Sequence, residues 1–465
     1  MDSRHPNNSQ KGFWLKVAVC ATALVVVACW VALQPSFKPA SLEEVRALLP
    51  ADLLKEPAVD KAAQIRFAAL VKLIPSIDER QIEEICDVKG PIPQRYEKSL
   101  QFWHSHQDVD SMVFNLLGEG PIQWPSVPTN GLDQLSLLEP IDRFSRLATS
   151  SAFLFASMGD FMRSARMLGL AERLGRGLMG AGGDLLQYST AARIRIATAK
   201  AVTEIVGNSK FPSSACAMVL AENLPAPEVD EALVDGIRED FQKKQLRWLP
   251  DPTRNLESAG SQIQGSSIPM RFCEPGSGGY DALETTRIFA KVVPVSIANA
   301  KVSWSKFDQS GDQLVKKETK DLPQRSPQSG PGGGRSAFNG LRYEISMRLT
   351  RNSIGRELIQ TLEHSGESPV LMSCEWRTVH DVARALLAAR IYRASHGGKV
   401  PSSSAGLVPN LGIWPQDPFS GKPMIYNAKD EVVYSTGKDL SDGGGKALGI
   451  SIDDSDIGVS LKLKP

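Results

Sequence analysis

The sequence predicts a mainly α-helical protein. It has an N-terminal transmembrane helix, an α-helical exported domain of αα-hairpin type and a small C-terminal α+β module. Three observations predict this. One long apolar run lies near the start, from Phe13 to Leu33. Residues 132–248 are dominated by Ala, Leu, Arg and Met. The last stretch joins an Ala-rich helix to short β-branched runs separated by Gly, Pro and Asp turns. The chain of 465 residues is long enough for two or three domains at roughly 150 residues each. Apolar residues at 42% and charged residues at 23% place it among ordinary globular proteins rather than disordered ones. Lys plus Arg number 53 against 52 Asp plus Glu, so the basic excess expected of a nucleic-acid binder is missing.

The apolar run reads FWLKVAVCATALVVVACWVAL, with Lys16 its one charge. About 20 such residues cross a hydrocarbon core as a helix. Trp14 and Trp30 stand near its ends, as interfacial aromatics do, and Arg4, Lys11 and Lys16 precede its core. The positive-inside rule therefore leaves residues 1–12 as a cytoplasmic tail and 13–34 as the anchor. It sends the rest of the chain across the membrane. The expected location is the bacterial inner membrane, single-pass, with the C-terminal body in the periplasm. Other readings stay open: lipidation at Cys29 in Val26-Val27-Ala28-Cys29, or ordinary signal cleavage. Lys11-Gly12-Phe13-Trp14-Leu15 is similar to the start of a type IV prepilin, but Val17 stands where that family has Glu. Cys86, Cys216, Cys273 and Cys374 belong to the exported body. Disulfides and free buried thiols are both open for them.

Residues 35–257 read as the α-helical domain. Ser41-Leu42-Glu43-Glu44 has the form of a capping box, and apolar residues recur at helical spacing through Val45, Leu48 and Leu49, then Ile65, Ala68, Leu70 and Leu73. Residues 118–131 carry Gly and Pro throughout and predict a loop. Gly159-Asp160-Phe161, followed by Ala165 and Ala171, resembles one tetratricopeptide hairpin; the register is not repeated further on. A helix from Glu228 to Arg247 closes the block. Residues 258–340 read as an irregular or β segment, from the β-branched cluster at 292–297 and a Gly/Pro/Ser-rich linker at 326–334. Residues 341–465 form the C-terminal module. It opens on an alternating strand pattern at 341–349, then an amphipathic helix from Thr378 to Ser395 ending at His396-Gly397-Gly398.

In their order, Tyr392, Gly397, Pro401, Asp417, Pro418, Gly421, Pro423, Tyr426, Tyr434, Ser435, Gly437, Asp439, Asp456 and Ile457 resemble the periplasmic module of the major pseudopilin of type II secretion. The whole layout is similar to large bacterial envelope proteins with one N-terminal membrane helix. The resemblance implies an α+β module whose last loop binds calcium. Calcium takes six to eight oxygen ligands, and Asp439, Asp442, Asp453, Asp454 and Asp456 supply five carboxylates to that loop. A solvated acidic tail is the competing reading. The chain departs from a pilus subunit because a long body separates anchor and module.

Catalytic signals are few. His104-Ser105-His106 lacks the further ligands and base of a zinc enzyme. Ser303-Trp304-Ser305-Lys306 and Ser435-Thr436-Gly437-Lys438 have S-x-x-K form without partner motifs, and the sequence holds no G-x-S-x-G elbow or P-loop. The function expected is a membrane-anchored extracytoplasmic scaffold or interaction protein with protein partners in the envelope, such as those of a secretion or pilus-like assembly. An exported hydrolase with an unmarked site and a divergent pseudopilin-like subunit are the alternatives.

Overall fold

A computed structural model describes residues 37–55, 60–86, 91–120, 122–123, 131–180, 183–207, 210–246, 249–251, 279–322, 350–360, 367–446, 448–453 and 455–462. The 13–34 run, Cys273, the Gly/Pro/Ser-rich linker at 326–334, the whole 341–349 pattern and Asp454 lie outside them. Among the described residues no helix is long and apolar enough to cross a membrane. The architecture is mainly helical with a small sheet.

Packing divides the chain into two units, neither contiguous in sequence. One gathers Met1–Leu49, Arg247–Phe289 and Val315–Thr361. Here β1 (Phe37–Lys38) pairs in parallel with β2 (Tyr280–Asp281). Helix α1 (Leu42–Leu48) starts at Ser41, whose hydroxyl accepts from the Glu44 N–H while Glu44 reaches back to the Ser41 N–H, the capping box the sequence predicts. Tyr280 is fully buried and donates its hydroxyl to the Leu249 carbonyl. Asn352, in the left-handed region at φ 51°, accepts from the Asp281 N–H at 2.8 Å.

The other unit holds Pro50–Leu246, Ala290–Leu314 and Leu362–Pro465. Its first helices are α2 (Lys61–Leu73), α3 (Glu79–Cys86), α4 (Ile92–Ser105) and α5 (Val109–Gly118). In α2 the buried face is Ala63, Phe67 and Leu70, continued by Ile74. Ile65 is 70% exposed, so the inward stripe is offset from the one the sequence suggested. The long helices follow: α6 (Gly131–Ser157), α7 (Phe161–Met179) and α8 (Leu185–Val206). The α6–α7 turn is the hairpin expected at Gly159-Asp160-Phe161. Gly159 has φ +84°, Asp160 caps α7 by accepting from the Arg163 N–H, and Ala165 and Ala171 are buried. Next come α9 (Ser213–Glu222) and α10 (Glu231–Asp240), the latter passing into a π-helical turn at Phe241–Gln245.

The expectation of an irregular or β segment at 258–340 is corrected where residues are described. Ala282–Asn299 is helix α11, with Pro294 inside it, and Ser310–Thr319 is helix α12. Val292, Val293 and Ile297 are buried there. Strand propensity is a weak preference, and burial of one helical face overrides it. After α13 (Ser353–Gln360) comes α14 (Glu367–Ser395), which starts earlier than the Thr378 expected. Gly397 and Gly398, at φ +61° and +83°, end it as predicted. The short α15 (Val408–Leu411) leads into an antiparallel pair, β3 (Ile425–Asn427) and β4 (Val432–Ser435). With β5 (Leu448–Gly449) and β6 (Asp456–Ser460) these make a sheet of order β3-β4-β6-β5, in which β5 and β6 run parallel.

Candidate functional site

Helix α14 organises the second unit. It is nearly all buried from Pro369 to Arg390, and its polar side chains reach into several neighbouring segments. Ser373 and Trp376 donate to Asp230 Oδ2 at 2.6 and 3.0 Å, and Tyr188 on α8 donates to the same oxygen at 2.6 Å. Asp230 also caps α10, accepting from the Leu233 N–H. Burial, with the Asp230 charge beside it, pushes the Tyr188 phenol well up. Arg384 donates to the carbonyls of Asn223 and Leu411 and to Asp381. Arg390 donates to the Phe211 carbonyl at 2.7 Å.

The most charged part of this layer joins α7, α8 and α14. Glu172 Oε1 accepts from Arg195 Nη2 at 2.7 Å and Nε at 3.0 Å. His380 Nε2 lies 3.3 Å from the same oxygen and 3.1 Å from Arg195 Nη2. The guanidinium also stands 4.2 Å above the Trp376 ring. Burial alone raises the Glu172 carboxyl, but the Arg195 and His380 charges win and bring it down to about 2. Gly175 makes the approach possible: a Cβ there would stand 2.6 Å from Arg195 Cγ. Glu172 and His380 are both fully buried. Ser373, His380 and Asp381 share one helix but do not form a catalytic relay. The Ser373 hydroxyl donates to Asp230, and His380 Nδ1 is 3.8 Å from Asp381, beyond a hydrogen bond.

The acidic loop expected to hold calcium surrounds one buried carboxylate. Asp456, fully buried at the start of β6, accepts from the Gly443 N–H at 3.2 Å and the Gly445 N–H at 3.0 Å. Asp439, Asp442 and Asp453 are exposed. Asp439 accepts from the Ser441 N–H, and Asp442 from the Gly444 N–H and the Tyr434 hydroxyl. The carboxylates of Asp439, Asp442 and Asp456 are thus taken up by donors of the module itself. Among the described residues no three His, Cys, Asp or Glu side chains group as metal ligands do. Asp454 is not described.

Asp417 ties the preceding turn to the sheet. Its carboxylate accepts from the Phe419 N–H at 2.9 Å, from Ser435 at 2.6 Å and from Ser420 at 2.7 Å. Ser435 thus belongs to this knot, while Ser303 precedes a 3-10 turn, Trp304–Lys306. His106 folds back onto the Phe102 carbonyl at the end of α4. Cys86, Cys216 and Cys374 are free thiols, and burial pushes Cys216 up to about 11 and Cys374 to about 12.

One cleft of about 430 Å³ opens on the outer side of α8 and the first turns of α14. Ile196, Leu371, Met372 and Ile452 form its apolar walls. None of these residues was marked by the sequence, nor were Glu172, Arg195, His380 or Asp230. The signal available was a dense charge pattern, His380-Asp381 followed by Arg384, inside an otherwise Ala/Leu helix. No family model matches the chain, and no curated protein or solved structure matches it.

Proposed function

We propose that the chain is a membrane-anchored extracytoplasmic scaffold or interaction protein of the bacterial envelope, held by residues 13–34 and working through protein partners. One observation carries the non-catalytic part of this reading. Among the described residues Glu172, Arg195 and His380 form a buried charged group sealed inside the helical block, in which Glu172 Oε1 faces both Arg195 and His380. Buried charges that are paired in this way hold helices in one arrangement and offer nothing to a substrate. The C-terminal module and the exposed faces of the helical block are then available to partners. The pseudopilin resemblance of that module favours partners in a secretion or pilus-like assembly, with calcium bracing its last loop.

Topology and partnering are tested separately. An alkaline phosphatase fusion after Pro465 is expected to be active and a β-galactosidase fusion inactive; the reverse pattern ends the extracytoplasmic reading. Photo-crosslinking amino acids on the outer faces of α6–α8 and of the module are expected to yield discrete heterologous adducts in cells. Turnover of envelope esters or peptides by the pure chain would favour the hydrolase instead. Cleavage after Gly12 would favour the pseudopilin-like subunit.

A further inference from the structure

The cleft beside α8 and α14 has a chemistry that neither the scaffold reading nor the acidic loop uses. Its volume of about 430 Å³ falls in the range of small-ligand sites, roughly 300–1,000 Å³. Ile196, Leu371, Met372 and Ile452 line it with aliphatic carbon and a thioether. Three charged groups stand at its edge: Arg193, Glu367 and Glu375. Both carboxylates already have cations. Lys438 Nζ is 3.1 Å from Glu367, and Lys200 Nζ is 3.4 Å from Glu375. Arg193 differs. It is exposed, its guanidinium meets the Thr190 hydroxyl at 3.4 Å, and among the described residues no carboxylate pairs with it. The cleft therefore joins an apolar trough to an exposed guanidinium that no carboxylate pairs with among the described residues.

The backbone restricts the occupant further. Seven of the eight lining residues belong to α8 and α14; for Arg193, Ile196, Leu371, Met372 and Glu375 the main-chain N–H and C=O groups bond within the helix, whereas Glu367 and Ser368 open α14 and their N–H groups have no intrahelical acceptor. An extended peptide laid here would find no strand edge to pair with along its length. An alkyl chain needs none. Arg193 sets the head group, because a guanidinium binds a carboxylate through two parallel hydrogen bonds.

We propose that this cleft binds a single alkyl chain bearing a carboxylate, a medium-chain fatty acid, with the chain along Ile196, Leu371, Met372 and Ile452 and the head on Arg193. The proposal does not depend on the scaffold reading or on the side of the membrane the domain occupies.

The test uses the full-length chain in lipid nanodiscs, a diazirine-bearing dodecanoic acid and peptide mapping of the adducts. Adducts are expected on peptides carrying Ile196, Leu371, Met372 or Ile452. Excess dodecanoate should compete them away and dodecyltrimethylammonium should not. Arg193→Gln, a change at an exposed side chain, should lower cleft labelling about tenfold, the loss of one charge-assisted contact. Met372→Glu should abolish it, with circular dichroism and limited proteolysis reporting the fold. Label confined to residues 13–34 overturns the proposal. Cleft labelling that survives Arg193→Gln undiminished, or that an alkylammonium probe reproduces, overturns the carboxylate assignment. If Met372→Glu fails to fold, the Arg193→Gln comparison still decides.

Discussion

Glu172 and Asp456 are both fully buried carboxylates, yet the two regions that hold them solve the same problem in opposite ways. In the helical block, Glu172 meets cationic and aromatic side chains brought from α8 and α14, far away in sequence. In the C-terminal module, Asp456 meets backbone N–H groups of a loop little more than ten residues upstream. Helices have already used their backbone donors, so a carboxylate between them needs side-chain partners. A Gly-rich loop has donors to spare. Removing one partner therefore strands a charge in the helical block but only backbone dipoles in the module.

That contrast can be broken by substitution, beginning with the largest effect. Glu172→Ala leaves Arg195, which is 5% exposed, without its carboxylate and is expected to cost about 3–5 kcal/mol in urea unfolding. The double replacement Glu172→Leu with Arg195→Met should recover most of that loss, since no buried charge is then stranded. If the single change is silent, the layer is wetter than described.

Acid should act on the same group. Its pKa falls from 4.5 to about 2 on folding, so the folded state favours the charged form. The stabilisation is complete above pH 4.5 and is lost as pH falls from there through 2, on the order of 3 kcal/mol. A urea midpoint that declines over this window more steeply in the parent chain than in Glu172→Gln is the expected result.

The module is probed by metal. Calcium at a hundredfold excess over its dissociation constant is expected to stabilise the folded chain by about 2.7 kcal/mol, measured as a rise in melting temperature over a chelated sample. Asp439→Ala and Asp456→Ala should each remove the rise. With no rise at millimolar calcium, the loop carboxylates serve hydrogen bonding alone. Without metal, Asp456→Ala leaves the Gly443 and Gly445 N–H groups unpaired and should cost about 1–3 kcal/mol. Asp456→Asn, which keeps an acceptor, should cost less. The smallest effect returns to α7. Asp160→Ala removes its N-cap and is expected to cost about 1 kcal/mol, well below Glu172→Ala on the same helix.

Local signals in the sequence carried through where the physics is local. The capping box at Ser41, the hairpin turn at Gly159-Asp160 and the Gly397-Gly398 end of α14 all depend on neighbours a few residues away. Where distant packing decides, the same reading slipped. Val292, Val293 and Ile297 read as strand because they are β-branched, yet they bury one face of α11. The site was less legible still. The acidic residues of the last loop stand out in sequence because they are close together. Arg193, Leu371 and Ile452 are not, and only the fold brings them to one cleft.

By itself, then, the sequence determined a mainly helical body, its caps and turns, and a short C-terminal sheet, because hydrophobic periodicity and turn chemistry act over a few residues. Tertiary structure alone decided which charges pair, which carboxylate is sealed by Arg195 and which by glycine amides, and where the exposed Arg193 meets an apolar trough. Those outcomes depend on groups far apart in sequence, whose cost or gain exists only once water has been excluded between them.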